Sequence, residues 1–356
     1  MTTLRKIDTM PFNIANRKLP TANCQLPTIL CIILPLLLFA WSCEEDFNLN
    51  APYKDITVVY GLIDPGEDTI FLKINKAFLG DGNVMEMAKI EDSSIYVTAL
   101  QATIEEWANG NFVKSYKLDT ITINNKEEGT FYNPYQLIYY TPYEPVPTSE
   151  YRLKVEVNNR TITAATNLVN DFTIKKPIAG SQFIQFTPGN EGTIEWTSAV
   201  YGKRYEVVIR IKYKEVFLDS PDTVFKYVDW GMGTKKSVND KGGEDMIVKY
   251  GNDAFYTFIG NQIPYSDPAK EANVKERYTD GVDFIIAVAA DALNLYMEVN
   301  EPSNSIVQER PEFSNISDGI GLFSSRFKNS RTKKIGAVTI QEIKTNPLTK
   351  DLKFVY

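Results

Sequence analysis

Through "RYEVVIRIKYKEV", residues 204–216, Tyr205, Val207, Ile209, Ile211 and Tyr213 alternate with mostly charged neighbours. This two-residue period is the feature that most narrows the folds open to the chain. A period of two sends successive side chains to opposite faces of an extended strand, whereas a helix needs a period of 3.6. The same alternation recurs at Ile70, Leu72 and Ile74, and again at Tyr151, Leu153, Val155 and Val157. Turn-forming residues separate the runs: "DPGED" after residue 63, Asn109-Gly110, and "NNR" at 158–160. Asn-Gly between alternating segments is a strong hairpin signal. The 20 tyrosines and 19 phenylalanines suit half-buried pleated surfaces. Short strands at this spacing, without a long helical pattern, predict a mainly β protein built as antiparallel sandwiches or barrels.

Two units are expected. The first, 56–172, is predicted as an antiparallel β-sandwich of immunoglobulin or transthyretin type. It opens with a hairpin of "ITVVYGLID" and "TIFLKINKAFL", continues with two strands around Asn109-Gly110, and ends with three more up to residue 169. The second unit covers 173–356. There Trp196 lies on one strand and the Tyr205–Tyr213 alternation on the next. That pairing resembles the B and C strands of a fibronectin type III domain and implies a second sandwich, here with long insertions and short helices. The stretch 231–280 reads as irregular apart from a short helix in "PAKEANVKERY". "DALNLYMEVN" (291–300) reads as a helix N-capped by Asp291, and "NPLTKDLKF" as a short C-terminal one.

The N-terminal region predicts an address. "ILCIILPLLLFA", Ile29 to Ala40, is a twelve-residue apolar run preceded by basic residues, the length of a signal-peptide core and too short for comfortable bilayer spanning. Small Ala40 and Ser42 stand at −3 and −1 before Cys43. This resembles a bacterial lipoprotein signal, implying a signal peptide over 1–42, cleavage between Ser42 and Cys43, acylation of Cys43, and a tether over 43–55. Each buried methylene of an acyl chain contributes about 0.8 kcal/mol, so two or more chains hold a protein to a membrane stably. The acidic "EED" after Cys43 resembles the export signal of Bacteroidota surface lipoproteins; a solvated spacer is the plainer reading. "LPTANCQLPT" repeats Leu-Pro-Thr at a spacing of seven, which points to translation starting at Met10 or further downstream.

Composition removes several functions. Residues 1–42 hold four basic side chains and one acidic, leaving 34 basic against 44 acidic in the remainder. So acidic a body lacks the basic footprint that nucleic acid requires. With no histidine, the usual general base, the Ser-His and Cys-His pairs and the commonest zinc ligand are missing. The three cysteines, Cys24, Cys31 and Cys43, all precede residue 44, so the body carries no disulfide and no thiolate site. No cofactor is expected.

Several local patterns remain. "FLGDGNV" offers Asp81 and Asn83, and "NDKGGED" offers Asn239, Asp240, Glu244 and Asp245, as oxygen ligands for Ca²⁺. Solvated hairpin turns explain both, and no metal site is assigned. Thr69, Thr120 and Thr223 each follow an aspartate and precede an aliphatic residue. The triplet matches the Bacteroidota O-glycosylation pattern and is equally how a turn enters a strand. "SNISDGIGLFSSRF" is read either as a loop that grips the other domain or a partner through Gly319, Gly321, Phe323 and Arg326, or as an ordinary hairpin of the second domain. Gly319 and Gly321 permit positive φ or close backbone approach. "KNSRTKK" (328–334) is a basic stretch in an acidic protein, able to face lipid headgroups or simply solvated.

"VVYGLIDPGEDTIFLKINKAFLGDGN" and "QERPEFSNISDGIGLFSSR" (308–326) resemble a Bacteroidota outer-membrane lipoprotein family of unknown function, often encoded beside TonB-dependent receptors. The resemblance implies an acylated outer-membrane protein, exposed on the cell surface, that acts without catalysis as a binding or accessory component of a receptor complex. It supplies no catalytic residues. The competing reading is a surface glycan-binding module or a glycoside hydrolase working through paired carboxylates; no local motif singles out such a pair.

Overall fold

The computed structural model describes residues 54–79, 83–124, 127–132, 134–220, 222–301 and 312–355. Its first eight strands are β1 (Lys54–Ile63), β2 (Thr69–Leu79), β3 (Gln101–Ala108), β4 (Asn111–Lys117), β5 (Asp119–Ile123), β6 (Gln136–Pro142), β7 (Glu150–Val157) and β8 (Arg160–Asn167). They form one sheet in the order β1-β2-β6-β5 and another in the order β4-β3-β7-β8. The alternating positions close a single core between them: Val59, Leu72 and Tyr139 from one sheet meet Ile104, Leu153 and Ile162 from the other.

The second set is β9 (Ile174–Lys176), β10 (Phe183–Ile184), β11 (Glu191–Thr197), β12 (Arg204–Phe217), β13 (Thr223–Lys236), β14 (Asp245–Gly251), β15 (Val274–Ala289) and β16 (Ile320–Ile335). Here β14-β11-β9 faces β13-β12-β15-β16. Trp196, Tyr205, Phe284 and Tyr256 are fully buried between these layers. In the first sandwich β1, β2, β6 and β5 share a layer and β4, β3, β7 and β8 the other; in the second, β9, β11 and β14 face β12, β13, β15 and β16, and the short β10 adds to β16. That is the immunoglobulin and fibronectin type III arrangement. Both predicted sandwiches are therefore present.

β16 unites them. Its first half pairs in parallel with β1, from Val58↔Ile320 to Ile63↔Ser325, and its second half pairs antiparallel with β15, from Ala289↔Arg326 to Val282↔Lys333. One nine-stranded sheet results. At the crossing, Ser324 and Ser325 are fully buried, and the Ser325 hydroxyl accepts from the Val169 amide at 2.9 Å. Further along, Asn329 donates to the Phe172 carbonyl (2.7 Å) and Arg331 to that of Pro177 (2.7 Å). The last strand thus holds the segment joining the two sandwiches.

The helices differ from expectation in part. The helix Asp291–Asn300 has the predicted bounds, but its N-cap is Ala290, with no side-chain cap bond, and Asp291 is its first residue. The stretch 231–280 contains the expected short helix, Pro268–Asn273, but also β14 and the helix Asn252–Gln262. The glycines of "NDKGGED" had masked the following "DMIVKYG", whose buried positions Met246, Val248 and Tyr250 alternate. A helix Ala337–Thr345 went unpredicted, and only a single 3₁₀ turn, Lys350–Leu352, forms in "NPLTKDLKF". Among the described residues no helix is long and apolar enough to cross a membrane.

Candidate interaction face

In the sheet β1-β2-β6-β5, the buried set Val59, Leu72 and Tyr139 fixes which parity points outward. Much of the outward set is apolar too, with Val58, Tyr60 and Leu62 on β1, Phe71 on β2, Ile138 and Tyr140 on β6, and Ile121 on β5, interleaved with Lys73 between Tyr60 and Ile138 and Asp119 opposite Tyr140. Tyr60 is 42% exposed, Phe71 54% and Ile121 48%, far more than a solvated sheet face needs to leave open. The register places Phe71 opposite Tyr140 and Ile121 opposite Ile138. Phe71 and Tyr140 stack with centroids 6.4 Å apart. On the far side of β1, Ile320 at the start of β16 is 43% exposed. From β16 to β5 the face is five strands wide, about 19 Å at the usual interstrand spacing.

The helix Asp291–Asn300 packs on β16 and brings Tyr296 against Tyr60, edge to face at 6.1 Å. The two hydroxyls approach to 3.5 Å. The Tyr60 phenol is pushed up to about 12, first by that hydroxyl contact and then by partial burial.

The opposite sheet of the same sandwich is built differently. Its outer face carries Lys154 paired with Glu105 (2.5 Å), Arg152 paired with Glu150 (2.6 Å) and the same guanidinium stacked 4.0 Å over Trp107. That face is mixed, since Phe112, 53% exposed, packs edge to face on Trp107 at 5.8 Å.

Two carboxylates sit inside the protein. Glu106 is 6% exposed, and accepts from the hydroxyls of Tyr143 (2.8 Å), Tyr116 (3.1 Å) and Ser149 (2.8 Å). Burial pushes the Tyr143 phenol up. Glu215, fully buried, accepts from Arg277 Nε (2.9 Å) and Tyr265 (2.7 Å) and lies 3.0 Å from Lys226 Nζ. Arg277 also grips Glu271 through two bonds of 2.7 Å. Internal partners thus occupy both buried carboxylates.

The residues singled out in the sequence lie as follows. Ser42, Cys43 and Asp81 fall outside the described residues. Asn83 caps the short helix Val84–Met87, its Oδ1 accepting from the Met85 amide at 2.9 Å. The Asp240 carbonyl accepts from the Tyr201 amide at 2.7 Å, and Asp245 pairs with Lys175. Glu244 accepts from the amides of Val238 (2.9 Å) and Asn239 (3.0 Å), which hold its carboxyl below the usual range. Among the described residues no three His, Cys, Asp or Glu side chains cluster as a metal site would require. Thr69 begins β2 with its hydroxyl on Asp68 (2.9 Å), while Thr120 and Thr223 are exposed near the starts of β5 and β13.

Gly319, Gly321, Phe323 and Arg326 form no loop. Gly319 lies in the turn ahead of β16 and the other three lie within the strand. Gly321 has φ +120°, and a Cβ there would stand 2.0 Å from the Val59 carbonyl oxygen. Phe323 is fully buried in the first core, and Arg326 is exposed beside Asp64 at 3.6 Å. The alternation had identified β1 and β2 as strands without revealing the apolar face. Its signal lies in "VVYGLI", where apolar residues occupy both parities; Tyr296, from a distant helix, leaves no such trace.

No family model matches the chain, and no curated protein matches it. Among solved structures, it is similar to the C-terminal globular domain of an oligosaccharyltransferase from Pyrococcus abyssi, at 14% identity and TM-score 0.24, covering 65% of this chain and 45% of that one. It is also similar to trypsin-activated alpha-2-macroglobulin from Escherichia coli, at 9% identity and TM-score 0.17, covering 81% of this chain and 22% of that one. The chain thus spans less than half the length of either.

Proposed function

We propose that this chain is a lipid-anchored outer-membrane protein, attached through Cys43 and exposed on the cell surface, which serves without catalysis as a binding or accessory partner of a TonB-dependent-receptor type complex. The contact surface is the outer face of β1-β2-β6-β5. The observation that carries this reading is the aromatic and apolar cluster of Tyr60, Phe71, Tyr140 and Ile121 on one sheet face, extended by Tyr296 from the helix beside it. Aromatic residues are the favoured anchors of protein interfaces, and a contiguous apolar patch marks a surface that something covers.

Two experiments test it. A Cys43→Ser variant loses palmitate labelling and leaves the membrane fraction; a variant that stays there at the usual level overturns the anchoring. A photo-crosslinker at Ile121 captures an integral outer-membrane protein, and Tyr60→Ser with Phe71→Ser lowers that yield at least about tenfold, the loss of one strong anchor contact. Both positions are exposed, so the melting temperature stays within a few degrees. Crosslinking only to polysaccharide would transfer the face to the glycan-binding alternative.

A further inference from the structure

A second apolar surface lies at the end of the first sandwich where the tether enters. Lys54, the first residue of β1, is registered with Leu79, the last of β2. From there the chain makes an excursion through two one-turn helices, Val84–Met87 and Glu91–Ser94, before β3. Lys76 holds the excursion against the base of β1, lying 3.6 Å from Asp55 and 3.4 Å from Asp92. Tyr96 adds a 2.8 Å hydroxyl bond to Thr57. The segment before β6 closes over the same place: the Tyr132 amide donates to the Ala88 carbonyl at 2.8 Å, and the Tyr135 hydroxyl donates to Glu91.

This knuckle turns its apolar side chains outward. Val84 is 62% exposed, Met85 56%, Ile90 53% and Phe131 61%, while Ala88, Ser93 and Ser94 face inward. Ala88 is well suited to the interior, but three large side chains left open on one short excursion, with Phe131 from the segment that closes over it, are not explained by packing. Ten residues separate Cys43 from Lys54, so a fully extended tether spans at most about 40 Å. An acyl group on Cys43 therefore ties the fold to the bilayer through the end of β1 beside this knuckle.

We infer that the knuckle of Val84, Met85, Ile90 and Phe131 is a second membrane contact, seating its apolar side chains in the headgroup region of the bilayer that holds the lipid anchor. The inference rests on the anchoring at Cys43 proposed above. An acyl chain alone lets the body swing on its tether; an apolar and aromatic knuckle at the interface adds a second point and sets its orientation. Exposed Lys89, paired with Glu86 at 3.1 Å, sits between the apolar groups, while Asp92 is paired with Lys76 and Glu91 accepts from Tyr135.

The test uses the mature acylated protein on phosphatidylethanolamine–phosphatidylglycerol vesicles. The body has no cysteine besides Cys43, whose thiol is acylated, so Met85→Cys supplies one labelling site for an environment-sensitive fluorophore. Leu218→Cys is the control, 67% exposed at the end of β12 farthest from the crossing with β1. The expected result is flotation of both proteins, with a blue shift and quenching by lipid-borne spin labels at position 85 and neither at 218. Phe131→Ser reduces the shift at 85. Flotation with a water-like signal at 85 overturns this inference and leaves the anchoring intact. Failure to float overturns the anchoring, and the inference falls with it.

Discussion

Replacing Arg277 with Met is expected to destabilise the second sandwich by about 3–5 kcal/mol, the range for removing one member of a buried ion pair. The alternation along β12 runs beyond Tyr213 to Glu215, so a carboxylate takes a core position, and the register sets Arg277 of β15 directly opposite it. Both side chains are fully buried. The guanidinium satisfies Glu215, both oxygens of Glu271 and the Leu352 carbonyl at 2.9 Å. Without it a buried charge and a carbonyl lose their partner, while Lys226 and Tyr265 remain on Glu215. Urea unfolding followed by tryptophan fluorescence measures the loss. The double variant Glu215→Met, Arg277→Met should recover part of it, because no buried carboxylate is then left without the guanidinium, although the Leu352 carbonyl and the Tyr265 hydroxyl lose their partners. A single variant within 1 kcal/mol of the parent would sink the prediction.

Acid supplies a second readout. Arg277 holds the Glu271 carboxyl below its ordinary value of 4.5. A depressed carboxyl stabilises the fold fully above the unfolded value, and the contribution disappears as pH falls through the folded one. The stability gap between parent and Arg277→Met is therefore widest near neutrality and narrows below about pH 4.5.

Phe323→Ala is expected to cost about 3–5 kcal/mol, the range for a fully buried phenylalanine, and to do so in the first sandwich although residue 323 belongs to the last strand. Its ring lies in the core with Val59, Leu72 and Leu153. Hydrogen exchange should show protection falling in β3 and β7, with the amides of β11 and β14 little changed. Loss confined to the second sandwich would refute the assignment. Gly321→Ala attacks the same junction through the backbone, since its Cβ meets the Val59 carbonyl and its φ suits glycine. Its exchange pattern should match that of Phe323→Ala.

Most strands were legible in the chain, for a physical reason. Val155 and Val157, or Ile209 and Ile211, declare both the strand and its buried face because a two-layer fold buries every second side chain. Turns such as Asn109-Gly110 and Asn158-Asn159 were legible because only some residues accept positive φ, as both pairs do here. The helix Asn252–Gln262 was not, since it packs Phe255, Tyr256 and Ile259 against a core assembled from distant strands, and its own pattern is weak. Nor was the pairing of β16 with β1, which unites residues more than 250 positions apart. "SDGIGLF" recorded only that close backbone approach was needed somewhere.

By itself, then, the order of residues determined two strand-built layers repeated twice, the turns between them and an acidic, histidine-free surface, because those properties are written in neighbours two to four positions apart. Tertiary structure alone decided that the last strand would bind both sandwiches into one sheet. It also decided that Tyr60, Phe71 and Tyr140 would meet Tyr296 on an open face, and that Glu215 would find Arg277 inside. Each depends on which distant strand lies alongside, and burial and backbone pairing choose that only once the whole chain has come together.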